Sequence, residues 1–368
     1  MNWGNFSRKA RSCLPCLAGL AIWGLLGLLS VTASVAQADR IHRDWAKYPA
    51  VIQVDTDQDV YVVGDPHADY QTLVTLLTGA KIASGSNNDK PEDVYWNAGK
   101  SVLVFTGDYI DKGPGTGMAL SVIALVRSLQ TEASKAGGRV IILMGNHEAE
   151  FLAHPNESKV SQFVKELENN HLKPEEVAAC KEDLGEFLCS LSFAARVNGW
   201  FFSHAGNTDG RSMSKLIADL QKGVDDDGFK TQQLIGDNSI LEARLGDCPW
   251  FERPGSEKDC DKDPETTLTT YTKTLGVKHI VQGHQPGKVS IADRDGPVKR
   301  KKGEMFQMYG LIFLEDTGMS RGIGYSEGAV LRIPAGQEEA IAICYSGKAT
   351  TIWPTREKYG SIKPCGSK

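Results

Sequence analysis

The chain has 368 residues, 41% hydrophobic and 24% charged, with a formal net charge of −5. This is the balance of a soluble globular protein long enough for one large domain or two. It argues against a general nucleic-acid binder, whose surface would be basic, and the one strong basic run, Lys299-Arg300-Lys301-Lys302, reads as a solvated loop.

At the N-terminus a basic segment from Arg8 to Arg11 precedes an apolar stretch from about Leu17 to Val31, followed by the small-x-small signal Ala36-Gln37-Ala38. This is the layout of a secretory signal peptide over residues 1–38, cut before Asp39. Cleavage takes Arg8, Lys9 and Arg11 away, so the net charge moves from −5 to −8. The apolar core is short for a membrane span, so a secreted or periplasmic chain without stable membrane insertion is favoured over one anchored by an uncleaved segment. Cys180, Cys189, Cys248, Cys260, Cys344 and Cys365 remain after the leader. An even count in an exported chain implies disulfides, and the simplest set pairs 180 with 189, 248 with 260, and 344 with 365.

Residues 39–50 read as an N-terminal arm. Val51 to Val63 alternates like a hairpin around the polar tip Asp55-Thr56-Asp57-Gln58-Asp59. Tyr70 to Ile82 places Leu73, Leu76 and Leu77 on one helical face, and Met118 to Lys135 is a second amphipathic helix stopped by Gly137-Gly138. Between and after them lie the apolar runs Val102 to Phe105 and Val140 to Met144, so strand and helix alternate as in a parallel sheet covered by helices. Residues 155–245 depart from that rhythm. They are polar, with helices expected at Val160 to Asn170 and Pro174 to Ala195, and read as a helical cap over the carboxyl end of the sheet. Cys248 to Pro264 reads as a loop. Leu311 to Glu315, Ala329 to Ile333 and Ala340 to Cys344 suggest a second sheet, closing a domain over 51–350 before a C-terminal tail at 351–368.

The chemistry collects where apolar runs stop. Val60 to Val63 leads into Gly64-Asp65-Pro66-His67, and Val102 to Phe105 leads into Gly107-Asp108 and on to Asp111. Val140 to Met144 leads into Gly145-Asn146-His147-Glu148, Trp200 to Ser203 into His204, and His279 to Gln282 into Gly283-His284. Reactive groups in open α/β sheets gather just past the carboxyl ends of strands. Carboxylate, amide and imidazole donors without cysteine make a ligand set for Mn, Fe or Zn rather than Ca. His154 and His171 read as surface residues, and His42 and His279 lie outside the set.

These ordered motifs, GD-x-H, GD-x-x-D-x-G, GNHE, a strand-end His204 and GH, resemble those of the calcineurin-like metallophosphoesterases. The GNHE form and Asp111 look most like the phosphoprotein-phosphatase branch, and Glu315 to Ser320 looks like the terminal motif of the bacterial Shewanella-like phosphatases. The resemblance implies an α/β fold built as a four-layer α/β/β/α sandwich of two mixed sheets, with the helical cap as an insertion. It implies two divalent metal ions, with Asp65 and His67 as ligands of the first, Asp108 bridging both, and Asn146, His204 and His284 as ligands of the second. It further implies a hydroxide activated between the metals as nucleophile, His147 as the general acid, and Asp111 holding its imidazole.

The chain departs from that branch at Lys112, where an Arg is usual. A lysine is a point charge without the planar fork that grips phosphate oxygens in pairs. Arg253, beside Trp250, is the candidate to share the phosphate, with Arg244 and Arg321 weaker ones. Ala68 and Ala205 stand where the family has Gly after a ligand His, and their small Cβ is expected to fit. The reading is a metal-dependent phosphatase of phosphomonoesters acting on a phosphoprotein or small phosphorylated molecule. Phosphodiesterase or nucleotidase action at the same centre is the alternative. A module that binds metal and phosphate without turnover is disfavoured by the intact His147.

Overall fold

The computed structural model describes residues 43–88, 90–246, 249–252 and 263–364. Two mixed sheets form its centre. One has six strands in the order Ala349–Trp353, Ala340–Cys344, Ala329–Ile333, Val60–Val63, Val102–Phe105 and Arg139–Ile142. The other has seven, in the order Val51–Val54, Ala194–Val197, Trp200–Ser203, His279–Gln282, Ile312–Leu314, Met305–Met308 and Tyr359–Ile362. Val60–Val63, Val102–Phe105 and Arg139–Ile142 run parallel to one another, as do Trp200–Ser203, His279–Gln282 and Ile312–Leu314.

Two-residue periodicity divides each central strand between two cores. Val60, Val62, Val102, Val104 and Ile141 meet Val197, Trp200, Phe202, Val281 and Phe313 between the sheets. Val63, Leu103, Phe105, Val140 and Ile142 face the opposite way, into the core that holds the helices. Burial on both faces is why these runs read as continuously apolar. Each such side chain contributes on the order of 1.5–3 kcal/mol by leaving water. The outer helices Tyr70–Gly79 and Ala119–Lys135 bury Leu73, Val74, Leu76 and Leu77, and Val122, Ile123, Leu125 and Val126. The expected α/β architecture of two mixed sheets with helices is therefore present.

Several local expectations are corrected. Val51–Val54 and Val60–Val63 do not form a hairpin but enter different sheets. The connection is pinned from outside: Asn198 Oδ1 accepts from Thr56 N–H at 2.8 Å, and Asp59 Oδ1 accepts from Ala335 N–H at 2.8 Å. The helix expected over 174–195 is two short helices, Pro174–Ala178 and Glu182–Ser190, followed by the strand Ala194–Val197. Cys180 and Glu182 take left-handed backbone angles at the break, and sheet pairing on both sides of Ala194–Val197 overrides its alanine content. Ala329–Ile333 and Ala340–Cys344 do not start a second sheet but extend the first. The stretch expected as a tail carries the edge strand Tyr359–Ile362 and most of another, Ala349–Trp353. The basic run is a solvated loop only in part: Lys299, Lys301 and Lys302 are exposed, but Val298–Arg300 is a hairpin strand and the buried Arg300 spends its guanidinium on the carbonyls of Gln285, Gly287, Glu304 and Asp316.

The Cys180–Cys189 disulfide is formed, and Cys344 is also disulfide-bonded. Cys248, Cys260 and Cys365 lie outside the described residues, as do the leader and Arg253. Among the described residues no helix is long and apolar enough to cross a membrane.

Candidate metal centre

Both sheets deliver side chains to one rim. The six-stranded sheet brings Asp65 and His67 past Val63, Asp108 past Phe105 and Asn146 past Ile142; the seven-stranded sheet brings His204 past Ser203 and His284 past Gln282. All six are buried. The loops lie so close that a Cβ on Gly145 would collide with the backbone and carboxylate of Asp108, and one on Gly283 with Asp65 Oδ1. His67, Asp108 and His284 each have positive φ (43°, 56° and 68°). Such angles cost about 1–3 kcal/mol each for a non-glycine residue and persist only where the surroundings over-determine them.

Glu148 does much of that determining. Its Oε1 accepts from the backbone N–H of Tyr109 at 2.7 Å and Ile110 at 3.3 Å, and its Oε2 from Asp108 and Gly145, both at 2.9 Å. One buried carboxylate thus ties the loop carrying Asp108 to the start of the Asn146–Ala153 helix. Burial, with Asp108 nearby, pushes this carboxyl up to about 7. Sequence reasoning quoted Glu148 within GNHE but gave it no role.

Hydrogen bonds settle which atom each ligand presents. His67 Nδ1 faces Ile110 O at 3.2 Å, so its proton sits there and Nε2 is bare, 3.4 Å from Asp108 Oδ2. His204 Nδ1 donates to Thr106 O at 3.0 Å and turns Nε2 inward, 3.4 Å from Asp108 Oδ1 and 3.0 Å from Asn146 Oδ1; against the pull of burial, Asp108 raises this imidazole above its ordinary value. His284 Nε2 donates to Glu242 O at 3.2 Å, leaving Nδ1 bare, 3.1 Å from His204 Nε2. Asn146 Nδ2 donates to Glu242 Oε1 at 2.8 Å, which turns Oδ1 inward. Asp65 accepts the His284 N–H on Oδ2 at 2.8 Å, while its buried Oδ1 has no hydrogen-bond partner.

Imidazole nitrogens, an amide oxygen and carboxylates therefore converge, and a cation is what such a cluster fits. Donor atoms of His67, Asp108 and His147 lie within 4.8 Å of one another, and so do those of Asp108, His204 and His284. Asp108 belongs to both groups, as a carboxylate shared between two ions must. Burial, then Asp316, Asp108 and Glu315, push the Asp65 carboxyl well above its usual range. Burial takes the His67 imidazole down to about 3 and also holds His284 well below its ordinary value, so both stay neutral, the form that can bind a cation.

His147 sits beside this cluster, its ring edge-on to His67 at 5.2 Å between centroids. Its Nδ1 faces Asp111 Oδ2 at 3.4 Å, and its Nε2 is buried without a partner. The other oxygen of Asp111 takes the N–H of Phe163, on a helix of the insertion, at 3.0 Å.

Of the cations considered, Lys112 and Arg244 are exposed, and both charges act on His284. Lys112 acts on His67 as well. Arg321 grips the buried Asp69 through two nitrogens, at 2.7–3.2 Å, and is committed there. Sequence reasoning missed Glu242, which touches Asn146 and His284 but lies in the unpatterned run Ser239 to Arg244. Ala68 and Ala205 are both buried.

A model of the calcineurin-like phosphoesterases matches residues 59–288. The chain belongs to that family. This phosphoesterase is 27% identical over 322 residues to an uncharacterized protein of Schizosaccharomyces pombe, with 83% of this chain and 84% of the relative covered. It is 26% identical over 186 residues to Shewanella-like protein phosphatase 1 of Plasmodium berghei, covering 49% of this chain and 45% of that one. Among solved structures, the cold-active protein-tyrosine phosphatase of a psychrophilic Shewanella species shares the fold, with a TM-score of 0.58 at 21% identity over 82% of this chain and 83% of that one. Calcineurin-like phosphoesterases use two divalent metal ions, and the His and Asp groups here could hold them. The chain is a metal-dependent phosphoric ester hydrolase acting on phosphorylated substrates.

Proposed function

We propose that the chain is an exported phosphatase of phosphomonoesters. The observation that carries this reading is His147: its Nδ1 is held by Asp111 while its Nε2, buried and unpartnered, lies next to the acceptor cluster. A monoester needs a proton on its leaving oxygen, and an imidazole so held presents one from Nε2. Asp111 keeps the ring oriented. Asp65 and His67 would hold one ion, Asn146, His204 and His284 the other, with Asp108 shared. When bound, a pair of divalent cations supplies Lewis acidity and makes water nucleophilic near neutral pH. Lys112 and Arg244, exposed at the rim and acting on His284, are placed to attract the phosphate dianion. With no planar fork at position 112, Arg244 is the side chain suited to bidentate contact.

Export is supported by the leader pattern of residues 1–38 and by the Cys180–Cys189 disulfide, a bond that persists in oxidising compartments. The likeness to a protein phosphatase and to a protein-tyrosine phosphatase favours phosphorylated protein side chains as substrates.

The test is a substrate panel on purified residues 39–368 with added Mn, Fe or Zn. It sets p-nitrophenyl phosphate, phosphotyrosine peptides and phosphoserine peptides against bis-p-nitrophenyl phosphate. Turnover of the monoesters at least tenfold above the diester is expected. A diester preference moves the assignment to phosphodiesterase chemistry, and bound metal without any turnover removes the catalytic reading.

A further inference from the structure

The helical insertion does more than cover the rim, because one turn of it touches the surroundings of three ligands. Ile240 O accepts from the N–H of Ala205, next to His204, at 2.9 Å. Glu242 O accepts from His284 Nε2 at 3.2 Å, and Glu242 Oε1 accepts from Asn146 Nδ2 at 2.8 Å. The turn is itself fixed: Ser239 Oγ accepts from the N–H groups of Leu241 and Glu242 at 3.2 and 3.1 Å. Leu245 exchanges two hydrogen bonds with the side chain of Gln285, the residue after His284, at 2.8 and 2.6 Å.

The side chain of Glu242 acts on Asn146 in a way no backbone group here does. An amide can present either its oxygen or its nitrogen, and only the oxygen binds a cation. A carboxylate only accepts, so Glu242 takes the NH₂ end and leaves Oδ1 pointing at His204 Nε2, 3.0 Å away. Glu242 is in turn held by Lys159, whose Nζ lies 2.6 Å from Glu242 Oε1 and 2.8 Å from Glu150 Oε1. Glu150 sits one turn beyond Asn146 on the same helix. Lys159 therefore staples the Glu242 turn to the helix that carries the amide. The carboxylates of Glu150 and Glu242 are only 14% and 13% exposed and Lys159 is 34% exposed, so solvent competes weakly at the acidic ends.

We propose that Glu242, held by Lys159, is the positioning residue that gives the second cation site, formed by Asn146, His204 and His284 with Asp108, its affinity for a divalent ion. The inference rests on the metal-centre reading above and adds a determinant outside the ligands. Groups that orient ligands in this way typically govern 10–100-fold in metal affinity.

The experiment titrates Mn into metal-free wild type, Glu242→Ala, Glu242→Gln and Lys159→Met, counting ions per chain by calorimetry and elemental analysis. Turnover is measured in parallel at limiting and saturating Mn. Glu242→Ala should weaken the second ion 10–100-fold and leave the first unchanged, with turnover recovering as Mn rises. Glu242→Gln keeps an oxygen for Asn146 Nδ2 and should retain most of the affinity; Lys159→Met should fall between. Loss of thermal stability in Glu242→Ala with unchanged affinity for both ions would make Glu242 a structural residue and overturn the proposal. Equal weakening of both ions would overturn it too. A wild type that takes up no second ion would overturn the metal-centre reading and this inference together, whereas an intact wild type beside an unaltered Glu242→Ala overturns this inference alone.

Discussion

His204 Nε2 and His284 Nδ1 stand 3.1 Å apart, both turned inward because the other nitrogen of each ring donates to a backbone carbonyl, Thr106 O and Glu242 O. Two imidazole nitrogens that close, beside the buried carboxylate of Asp108, form the kind of donor set that a divalent ion satisfies. Stripping divalent ions should therefore lower the melting temperature, and restoring Mn, Fe or Zn should raise it. Free ion at 100 times its dissociation constant stabilises by about 2.7 kcal/mol. Differential scanning calorimetry before and after chelation measures this; a melting point indifferent to all three metals would mean the cluster holds none of them.

Asp108 is the one carboxylate common to both donor groups. Asp108→Asn keeps an oxygen for the His147 N–H that Asp108 Oδ1 now accepts at 3.0 Å, so the fold should survive. The variant loses a negative charge and one metal-facing oxygen. Metal analysis should find fewer than two ions per chain, and full occupancy would rule out the shared-ligand role.

His147→Asn removes the proton donor and leaves the proposed ligands Asp65, His67, Asp108, Asn146, His204 and His284 in place. Turnover of p-nitrophenyl phosphate should fall about 10²–10⁴-fold, the usual range for losing a general acid, at unchanged metal content. An activated leaving group needs its proton least, so an alkyl phosphate should suffer more than p-nitrophenyl phosphate. Equal loss on both would assign His147 to something other than leaving-group protonation.

His279 provides a pH test far from this chemistry. Its ring stacks on Trp200 at 3.9 Å between centroids and lies against Phe313 and Trp353, with Nδ1 on Gly310 O and Nε2 buried without a partner. Burial first, and the charge of Lys278 to a lesser degree, take it from 6.5 down to about 4. Between those values the unfolded chain binds a proton that the folded chain refuses, so stability rises with pH across that window. As pH falls from about 6.5 to 4 the loss from this group approaches 3 kcal/mol. His279→Phe leaves the Gly310 carbonyl without its donor and should cost about 1–2 kcal/mol at pH 7. It should then lose less than wild type on acidification, as read by urea unfolding between pH 4.5 and 7.5. Parallel losses would show that His279 does not titrate in this range.

The parts of the centre legible in sequence were those written locally. An apolar run, a glycine and then Asp, Asn or His marks a strand end with a donor on it, and Asp65, His67, Asp108, Asn146, His204 and His284 do meet. What stayed hidden depends on contacts distant in the chain. Nothing within Val51 to Val63 says that its halves enter different sheets, since the anchors are Asn198 and Ala335. Ala349–Trp353 exposes three of its five residues and carries little hydrophobic signal, yet it pairs along Ala340–Cys344. Glu242 reads as one more charge on a polar insertion until Asn146 and His284 are seen against it.

The proposed ligands are divided between the layers: Asp65, His67, Asp108 and Asn146 extend from the six-stranded sheet, His204 and His284 from the seven-stranded one. An ion bound at the second site, between Asn146 and Asp108 on one layer and His204 and His284 on the other, would therefore act as a rivet through the sandwich. Sliding one layer against the other by an ångström or two would break coordination at that second ion, so its occupancy should slow the rate of unfolding as well as shift its equilibrium. Under the proposed export, where proteases meet the chain, that delay, rather than the depth of the free-energy well, would set how long it lasts.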